Sequence, residues 1–134
     1  LPEMLKRSRC RLKISVETLM MIDSLKMNSS HINNIISKCQ ECLSKKIVIT
    51  HGTDRMVSTA KALAKAKINT KTIILTGAMI PYEFGSSSDG FFNLGCALSY
   101  VQTLQPGVYI TMQGQHFKWD KVIKNSKKGF FEKL

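Results

Sequence analysis

The chain has 134 residues, of which 43% are hydrophobic and 22% charged, and its formal net charge is +11. This length suits one domain with one hydrophobic core, and the composition is that of a globular protein rather than of a disordered or fibrous chain. No apolar run approaches the roughly 20 residues of a membrane-spanning helix, and the first residues carry no secretory signal, so we expect a cytoplasmic protein without membrane contact.

The net charge and the cysteines each leave two interpretations open. A strongly basic chain is typical of nucleic-acid binding or of a solvated basic surface. The basic residues are spread along the chain and no nucleic-acid-binding motif is present, so we expect the solvated surface and no nucleic-acid partner.

Cys39 and Cys42 form a single CxxC pair, which is a weak signal for zinc or redox chemistry. We expect reduced thiols and no metal.

The first elements in chain order are a strand and a helix. Residues 11–20 alternate between polar and apolar side chains at the start, which predicts a strand with one buried face. Asp23 and Ser24 then form a loop at the end of that strand. Ser29 or Ser30 caps a helix that runs to about residue 43. The predicted apolar face of this helix consists of Ile32, Ile35, Ile36, Cys39 and Leu43.

The centre of the pattern is the apolar run 47–50, which predicts a buried, parallel strand. An alanine-rich helix follows Asp54 and ends near Lys67. Thr53 and Asp54 therefore fall at the carboxyl end of a strand, where open α/β sheets bind their ligands. The alternative is that one of these two residues only caps the helix.

The second half of the chain continues the alternation of strands and helices. Thr72–Thr76 is predicted as a buried strand, and residues 79–90 as a long loop. Loops of this length in compact domains are often functional. A helix over residues 91–104 offers Phe92, Leu94, Ala97, Leu98 and Val101 for burial. Residues 108–112 form a strand, 113–115 a hairpin turn into 116–119, and 120–134 a basic, irregular tail. The predicted fold is one α/β domain, residues 1–134, with a three-layer, doubly wound, mostly parallel sheet.

The residue types at the central strand permit one kind of proton transfer. An aspartate can hold a lysine, and that lysine, once deprotonated, can take a proton from a threonine hydroxyl. Thr53 and Asp54 supply two of the three groups, but spacing does not identify the lysine. The three histidines lack the spacing of metal ligands, and His51 beside Gly52 is predicted to be a structural hydrogen-bonding residue rather than a catalyst.

Several segments resemble one family in the same order. Residues 49–54, Ile-Thr-His-Gly-Thr-Asp, resemble the second signature of the bacterial-type L-asparaginases of the asparaginase/glutaminase family. Residues 75–79, then Pro81 and 89–94, are similar to the segment that follows in that family. Asp23 and Ser24 lie where the family has its substrate-carboxylate-binding serine. Residues 108–124 resemble the stretch that ends in the family's catalytic lysine, and 129–132 resemble the end of the short, single-domain members.

The resemblance implies hydrolysis of L-asparagine to L-aspartate and ammonia, with L-glutamine as a second candidate substrate and without metal or cofactor. It puts the proton-relay roles on Thr53, Asp54 and Lys124. Substrate binding would fall to the residues around that relay, namely Asp23, Ser24, Gly52, Thr53, Asp54 and Ala78. Family habit also implies a homo-oligomer.

This chain departs from the family pattern in several places. It contains no Thr-Gly-Gly-Thr motif, so we expect it to begin after the family's first strand and to lack that strand. Lys26, Arg55 and Ile80 replace an acidic residue, a threonine and an arginine that are usual around the pocket. We therefore expect an asparaginase-type domain with little or no activity. The alternative is a non-catalytic relative that binds an amino acid or a partner protein.

Overall fold

The computed structural model describes residues 1–82 and 87–134; the predicted loop 79–90 lies partly outside these residues. The helices are α1 (Pro2–Arg7), α2 (Ser29–Glu41), α3 (Met56–Lys65) and α4 (Gly90–Val101), and a 3-10 helix spans Ser24–Lys26. The strands are β1 (Lys46–Thr50), β2 (Thr72–Thr76), β3 (Gly107–Met112), β4 (Gln115–Lys118), β5 (Val122–Asn125) and β6 (Phe130–Lys133).

The main sheet has four strands in the order β1-β2-β3-β4. The first three strands are parallel, with Ile47 opposite Ile73 and Ile73 opposite Val108, and β4 is antiparallel to β3. Strands β5 and β6 form a separate antiparallel hairpin. The carboxyl ends of β1, β2 and β3 therefore meet at one edge of the sheet.

Helices cover both faces of the sheet. Alternate residues of a strand point to opposite faces, and in β2 they contribute to two different apolar clusters. Ile73 and Leu75 belong to the larger cluster, which includes side chains of α2 and α3. Ile74 belongs to the smaller cluster, with Ala97 and Val101 of α4. The predicted α/β class, with a mostly parallel sheet between two helical layers, is confirmed.

The two crossover connections have opposite hands. The connections β1-α3-β2 and β2-α4-β3 step in the same direction across the sheet. Their helices nevertheless lie on opposite faces. Two such connections cannot share a hand, so one of them has the uncommon left-handed sense.

Two predicted segments differ from the structure. Residues 11–20 form no strand, and residues 11–18 are exposed, although Leu19 and Met20 pack against the larger cluster. A strand needs a partner for its backbone, and this segment has none among the described residues. Residues 120–134, predicted to be irregular, contain β5 and β6, whose side chains Val122 and Phe131 are buried.

Two apolar side chains were also predicted on the wrong face. Leu43 is 99% exposed, because α2 ends at Glu41 and the chain turns away before residue 43. Phe92 is 60% exposed, because the buried side of α4 is formed by Leu94, Ala97 and Val101. None of the helices in the described part of the chain is long and apolar enough to span a bilayer.

Candidate active site

Three side chains meet where β1 ends. Lys124 Nζ lies 2.9 Å from Thr53 Oγ1 and 2.7 Å from Asp54 Oδ1. The Lys124 side chain is 15% exposed and that of Asp54 is 47% exposed, so the amine is sheltered while the carboxylate faces solvent. A hydroxyl, an amine and a carboxylate in consecutive contact form a unit through which a proton can move.

The helix that follows is not capped by these two residues. Arg55 is the N-cap of α3, and no side chain makes the capping hydrogen bond. Thr53 contributes only its backbone carbonyl, which accepts from Met56 N at 3.4 Å. The capping alternative is therefore wrong, and the Thr53 hydroxyl and the Asp54 carboxylate are directed to Lys124 instead.

Ser24 approaches this turn from the other side. A Cβ atom on Gly52 would lie 2.8 Å from Ser24 Oγ, so only glycine allows the two segments to come so close. Ser24 is 1% exposed, and its Oγ has no hydrogen-bond partner among the residues described. The carboxylate of Asp23 accepts from Leu25 N at 3.0 Å and caps the 3-10 helix, which leaves Ser24 as the polar group next to Gly52.

His51 is hydrogen-bonded on both ring nitrogens. Nδ1 lies 2.6 Å from the carbonyl oxygen of Gly52, and Nε2 lies 2.9 Å from Thr59 Oγ1. Because a carbonyl can only accept, Nδ1 carries the proton and Nε2 accepts from the hydroxyl. Burial lowers the pKa of His51, and the bond to the Gly52 carbonyl opposes this effect only in part. This agrees with the structural role predicted for His51.

The end of β2 lies beside the end of β1. A Cβ atom on Gly77 would lie 2.2 Å from the carbonyl oxygen of His51, so the two backbones are in close contact there. Ala78 follows and is half-buried. The carboxylate of Asp89 accepts from Met79 N at 3.0 Å and from Ile80 N at 2.9 Å. Asp89, the residue before α4, therefore fixes the backbone after Ala78 through these two hydrogen bonds.

Sequence reasoning missed three polar residues that support the site: Asp89, Asn93 and Gln113. Asn93 Nδ2 donates to the Gly77 carbonyl at 2.8 Å and to Asp89 Oδ2 at 3.0 Å. One signal for Asn93 was available, because it lies four residues before Ala97 on the buried face of a predicted helix. Nothing in the sequence pattern singled out Gln113, which was treated only as part of a turn.

The CxxC pair lies at the carboxyl end of α2, where Cys42 is the C-cap residue. Cys39 and Cys42 are free thiols. Burial, with the nearby Cys42 adding to it, raises the pKa of the Cys39 thiol to about 11, whereas metal binding and disulfide exchange need the thiolate. In residues 1–82 and 87–134, no three histidine, cysteine or acidic side chains are grouped as metal ligands would be.

The chain matches known proteins over most of its length. A family model described as "Asparaginase, N-terminal" matches residues 1–131. An L-asparaginase of Thermococcus kodakarensis is 35% identical over 79 residues, which cover 58% of this chain and 24% of that protein. The solved structure of the thermostable L-asparaginase from Thermococcus kodakarensis has a TM-score of 0.87 and 26% identity, covering 99% of this chain and 43% of that one.

A probable cytoplasmic L-asparaginase from Campylobacter jejuni has a TM-score of 0.84 and 28% identity, covering 99% of this chain and 46% of that one. The chain thus spans less than half the length of the relatives that it matches. The family model nevertheless covers all but the last residues, and the fold agrees over nearly the whole chain. On this evidence the chain belongs to the asparaginase family.

Proposed function

We propose that this domain is an L-asparagine amidohydrolase, converting L-asparagine and water into L-aspartate and ammonia. The observation that carries the proposal is the position of Lys124 Nζ, within 2.9 Å of the Thr53 hydroxyl and 2.7 Å of the Asp54 carboxylate. The relatives named L-asparaginase favour the same substrate. L-glutamine, one methylene longer, is the second candidate.

In the proposed reaction, Thr53 Oγ1 attacks the side-chain carbonyl carbon of asparagine, and Lys124, in its neutral form, accepts the hydroxyl proton. The proton then passes to the leaving nitrogen, the C–N bond breaks and ammonia departs. Water hydrolyses the Thr53 ester and releases aspartate. Asp54 keeps the lysine oriented through the 2.7 Å contact. General acid-base catalysis of this kind contributes about 10²–10⁴-fold to a rate.

The turn after β1 and two neighbouring segments supply the groups that would bind the substrate. The buried Ser24 hydroxyl, which has no partner among the described residues, would donate to the α-carboxylate. Lys124 contacts only Oδ1 of Asp54, so Oδ2 would accept a hydrogen bond from the α-amino group. Backbone N–H groups at Gly52 and Thr53 would face the developing oxyanion, where one such donor is worth about 3 kcal/mol. The Ala78 carbonyl would contact the amide nitrogen.

We propose slow turnover for the 134 residues by themselves. Their sequence contains no Thr-Gly-Gly-Thr motif. Strand β1 pairs with β2 on one side and, within the described ranges, with no strand on the other. A strand that carries the motif and pairs with this edge would add a second threonine to the site. Fusing such a segment to the chain should therefore raise the rate of ammonia release.

The exposed positions Lys26, Arg55 and Ile80 favour a second candidate, a relative that binds an amino acid without hydrolysing it. Two positive charges beside the site would still suit a carboxylate ligand. Calorimetric titration with L-aspartate, together with a null result for ammonia release, would support this candidate over the amidohydrolase.

The direct test is ammonia release from L-asparagine by the purified chain. Thr53→Ala should abolish the release, because it removes the hydroxyl in contact with Lys124. Thr70→Ala, at an exposed position outside the site, is the matched control and should keep the parent rate. Equal rates in the parent chain and in Thr53→Ala would reject Thr53 as the attacking group.

We propose a homo-oligomer, because the free edge of β1 and the family resemblance both favour association. Light scattering behind a sizing column tests it, and a single species of about 15 kDa would contradict it. We further propose a cytoplasmic location, which the name of the Campylobacter jejuni relative gives for that protein.

A further inference from the structure

The hairpin that carries Lys124 needs support from the rest of the domain. Strands β5 and β6 form a two-stranded sheet separate from the main sheet. In this hairpin, Lys124 lies directly opposite Phe131. An isolated two-stranded hairpin is marginally stable at best in water. The position of the Lys124 backbone therefore depends on what holds β6 in place.

Gln113, in the turn between β3 and β4, holds β6 through its side-chain amide. Phe131 N donates to Gln113 Oε1 at 3.0 Å, and Gln113 Nε2 donates to the carbonyl oxygen of Phe131. One side chain thus pairs with both backbone groups of the residue opposite Lys124, as a neighbouring strand would. The side chain of Phe131 is buried, so this residue is held by its ring and by its backbone.

The backbone of Gln113 is itself held in place from the other half of the site. Its φ is +47°, in the left-handed region that non-glycine residues rarely adopt. Gln113 N donates to Asn93 Oδ1 at 3.0 Å, and the fully buried Asn93 donates to the Gly77 carbonyl at 2.8 Å. Two amide side chains therefore link the backbone before Ala78 to the strand opposite Lys124.

We propose that Gln113 is a positioning residue for Lys124: its amide holds β6 so that the amine stays in contact with Thr53 and Asp54. The inference rests on the proposed function and assigns Gln113 no contact with substrate. Catalytic groups must be placed closely, since a displacement of about 1 Å can reduce a rate about 100-fold. Release of β6 would allow such a displacement without removing any of the three groups.

Two substitutions remove the amide contact without straining the turn. Gln113→Asn keeps the carboxamide and tolerates a positive φ, but its side chain is one methylene too short to pair with Phe131. Gln113→Gly fits the positive φ best and has no side chain. The matched control is Gln115→Asn, which makes the same change at an exposed position two residues later.

The first measurement is the acetylation rate of the Lys124 amine by an N-hydroxysuccinimide ester, followed by peptide mass spectrometry. The exposed Lys121 of the same molecule is the internal reference. In the parent chain, Lys124 should react more slowly than Lys121. Both Gln113 variants should raise the Lys124 rate about fivefold, whereas Gln115→Asn should leave it unchanged. Equal Lys124 rates in the parent chain and the Gln113 variants would overturn the proposal.

A second measurement uses the parent chain and does not depend on the folding of a variant. The amide of Phe131 is bonded to the Gln113 side chain. Its hydrogen exchange should therefore be slowed at least about 100-fold relative to an unstructured peptide. Exchange at the unstructured rate would show that Gln113 does not hold β6, and the proposal would fall.

Turnover separates this proposal from the proposed function. If the parent chain releases ammonia, both Gln113 variants should lower kcat about tenfold and change KM less than about twofold. An unchanged kcat together with faster acetylation would overturn the positioning role. If the parent chain releases no ammonia, the proposed function fails, and the labelling and exchange measurements still decide whether Gln113 holds Lys124 in place.

Discussion

Lys71 and Lys124 are both sheltered from solvent, but their partners differ. Lys71 is 8% exposed, and its amine donates to the carbonyl oxygens of Cys39 at 2.6 Å and Cys42 at 2.5 Å. The amine of Lys124 contacts a hydroxyl and a carboxylate. Carbonyl oxygens accept hydrogen bonds and have no proton to exchange, whereas a hydroxyl can give its proton to a neutral amine.

Burial of an amine therefore does not by itself mark a catalytic residue. Lys71 satisfies the last carbonyls of α2 and places a positive charge at the negative end of the helix dipole. Its partners make it a structural cation. Of the two lysines, only Lys124 has partners that permit proton transfer, so substitutions of Lys124 and Lys71 should affect different properties of the protein.

The largest expected effect is on catalysis at Lys124. Lys124→Met keeps most of the aliphatic side chain and removes the amine, so ammonia release should fall about 10³-fold. The free energy of unfolding should change by less than about 1 kcal/mol, because the ion pair with the exposed Asp54 contributes little. Coupled ammonia assays and urea denaturation measure the two quantities. A large loss of stability with unchanged activity would make Lys124 a structural residue like Lys71.

The opposite result is expected at Lys71. Lys71→Met leaves buried carbonyls at the end of α2 without a donor, which should lower the free energy of unfolding by about 2–3 kcal/mol. Ammonia release per folded molecule should stay the same. Lys61→Met, at an exposed position of α3, is the matched control in urea denaturation. Equal midpoints for the two variants would show that the Lys71 contacts do not stabilise the fold.

A smaller effect, on ligand affinity, is expected at Gly52, where the backbone lies too close to Ser24 for a side chain to fit. Gly52→Ala would place a Cβ atom 2.8 Å from Ser24 Oγ. Crowding of this kind should weaken L-aspartate binding about tenfold, equivalent to about 1.4 kcal/mol, as measured by calorimetry. In Gly95→Ala no described atom outside the adjacent residues and backbone of α4 lies within 4 Å of the new Cβ, so binding should be unchanged and α4 slightly more stable. Equal affinities in both variants would contradict the close approach.

The smallest effect is expected at His51, whose ring contacts a carbonyl oxygen and a hydroxyl. Burial lowers the pKa of His51 in the folded chain, so the unfolded chain binds a proton first as the pH falls. The contribution of neutral His51 to the free energy of unfolding is therefore fully present above the unfolded-state pKa of about 6.5. This contribution is lost as the pH falls below that value. His51→Asn should reduce the slope of unfolding free energy between about pH 7 and 5.

Thr70→Ala, at an exposed position that bears no titratable group, is the control and should retain the slope of the parent chain. A slope that is the same in His51→Asn and in the parent chain would contradict the assignment of this pH dependence to His51.

The strands of the main sheet could be predicted because their burial is visible locally. β1 and β2 are continuous apolar runs, and both were predicted within a residue of their observed bounds. The β5–β6 hairpin could not be predicted in this way. Its stability comes from Phe131 in a distant core and from the amide of Gln113, and neither contact leaves a periodic pattern in residues 120–134.

The candidate site was predictable in part. Thr53 and Asp54 were located by the strand that precedes them. Spacing could not separate the catalytic lysine from the 15 other lysines of the chain, and only the family resemblance indicated Lys124. Contacts between residues so far apart in the chain depend on the tertiary fold. Asn93 and Gln113 act through backbone groups of other segments, which a sequence pattern does not record.

The opposite hands of the two crossovers have a consequence for where any ligand can bind. The chain leaves the end of β1 towards one face of the sheet and the end of β2 towards the other. In open α/β sheets, ligands bind where neighbouring loops diverge in this way. The place of a ligand at this edge would thus be set by the path of the backbone, and substitutions of side chains there would change the chemistry of the site but not its place.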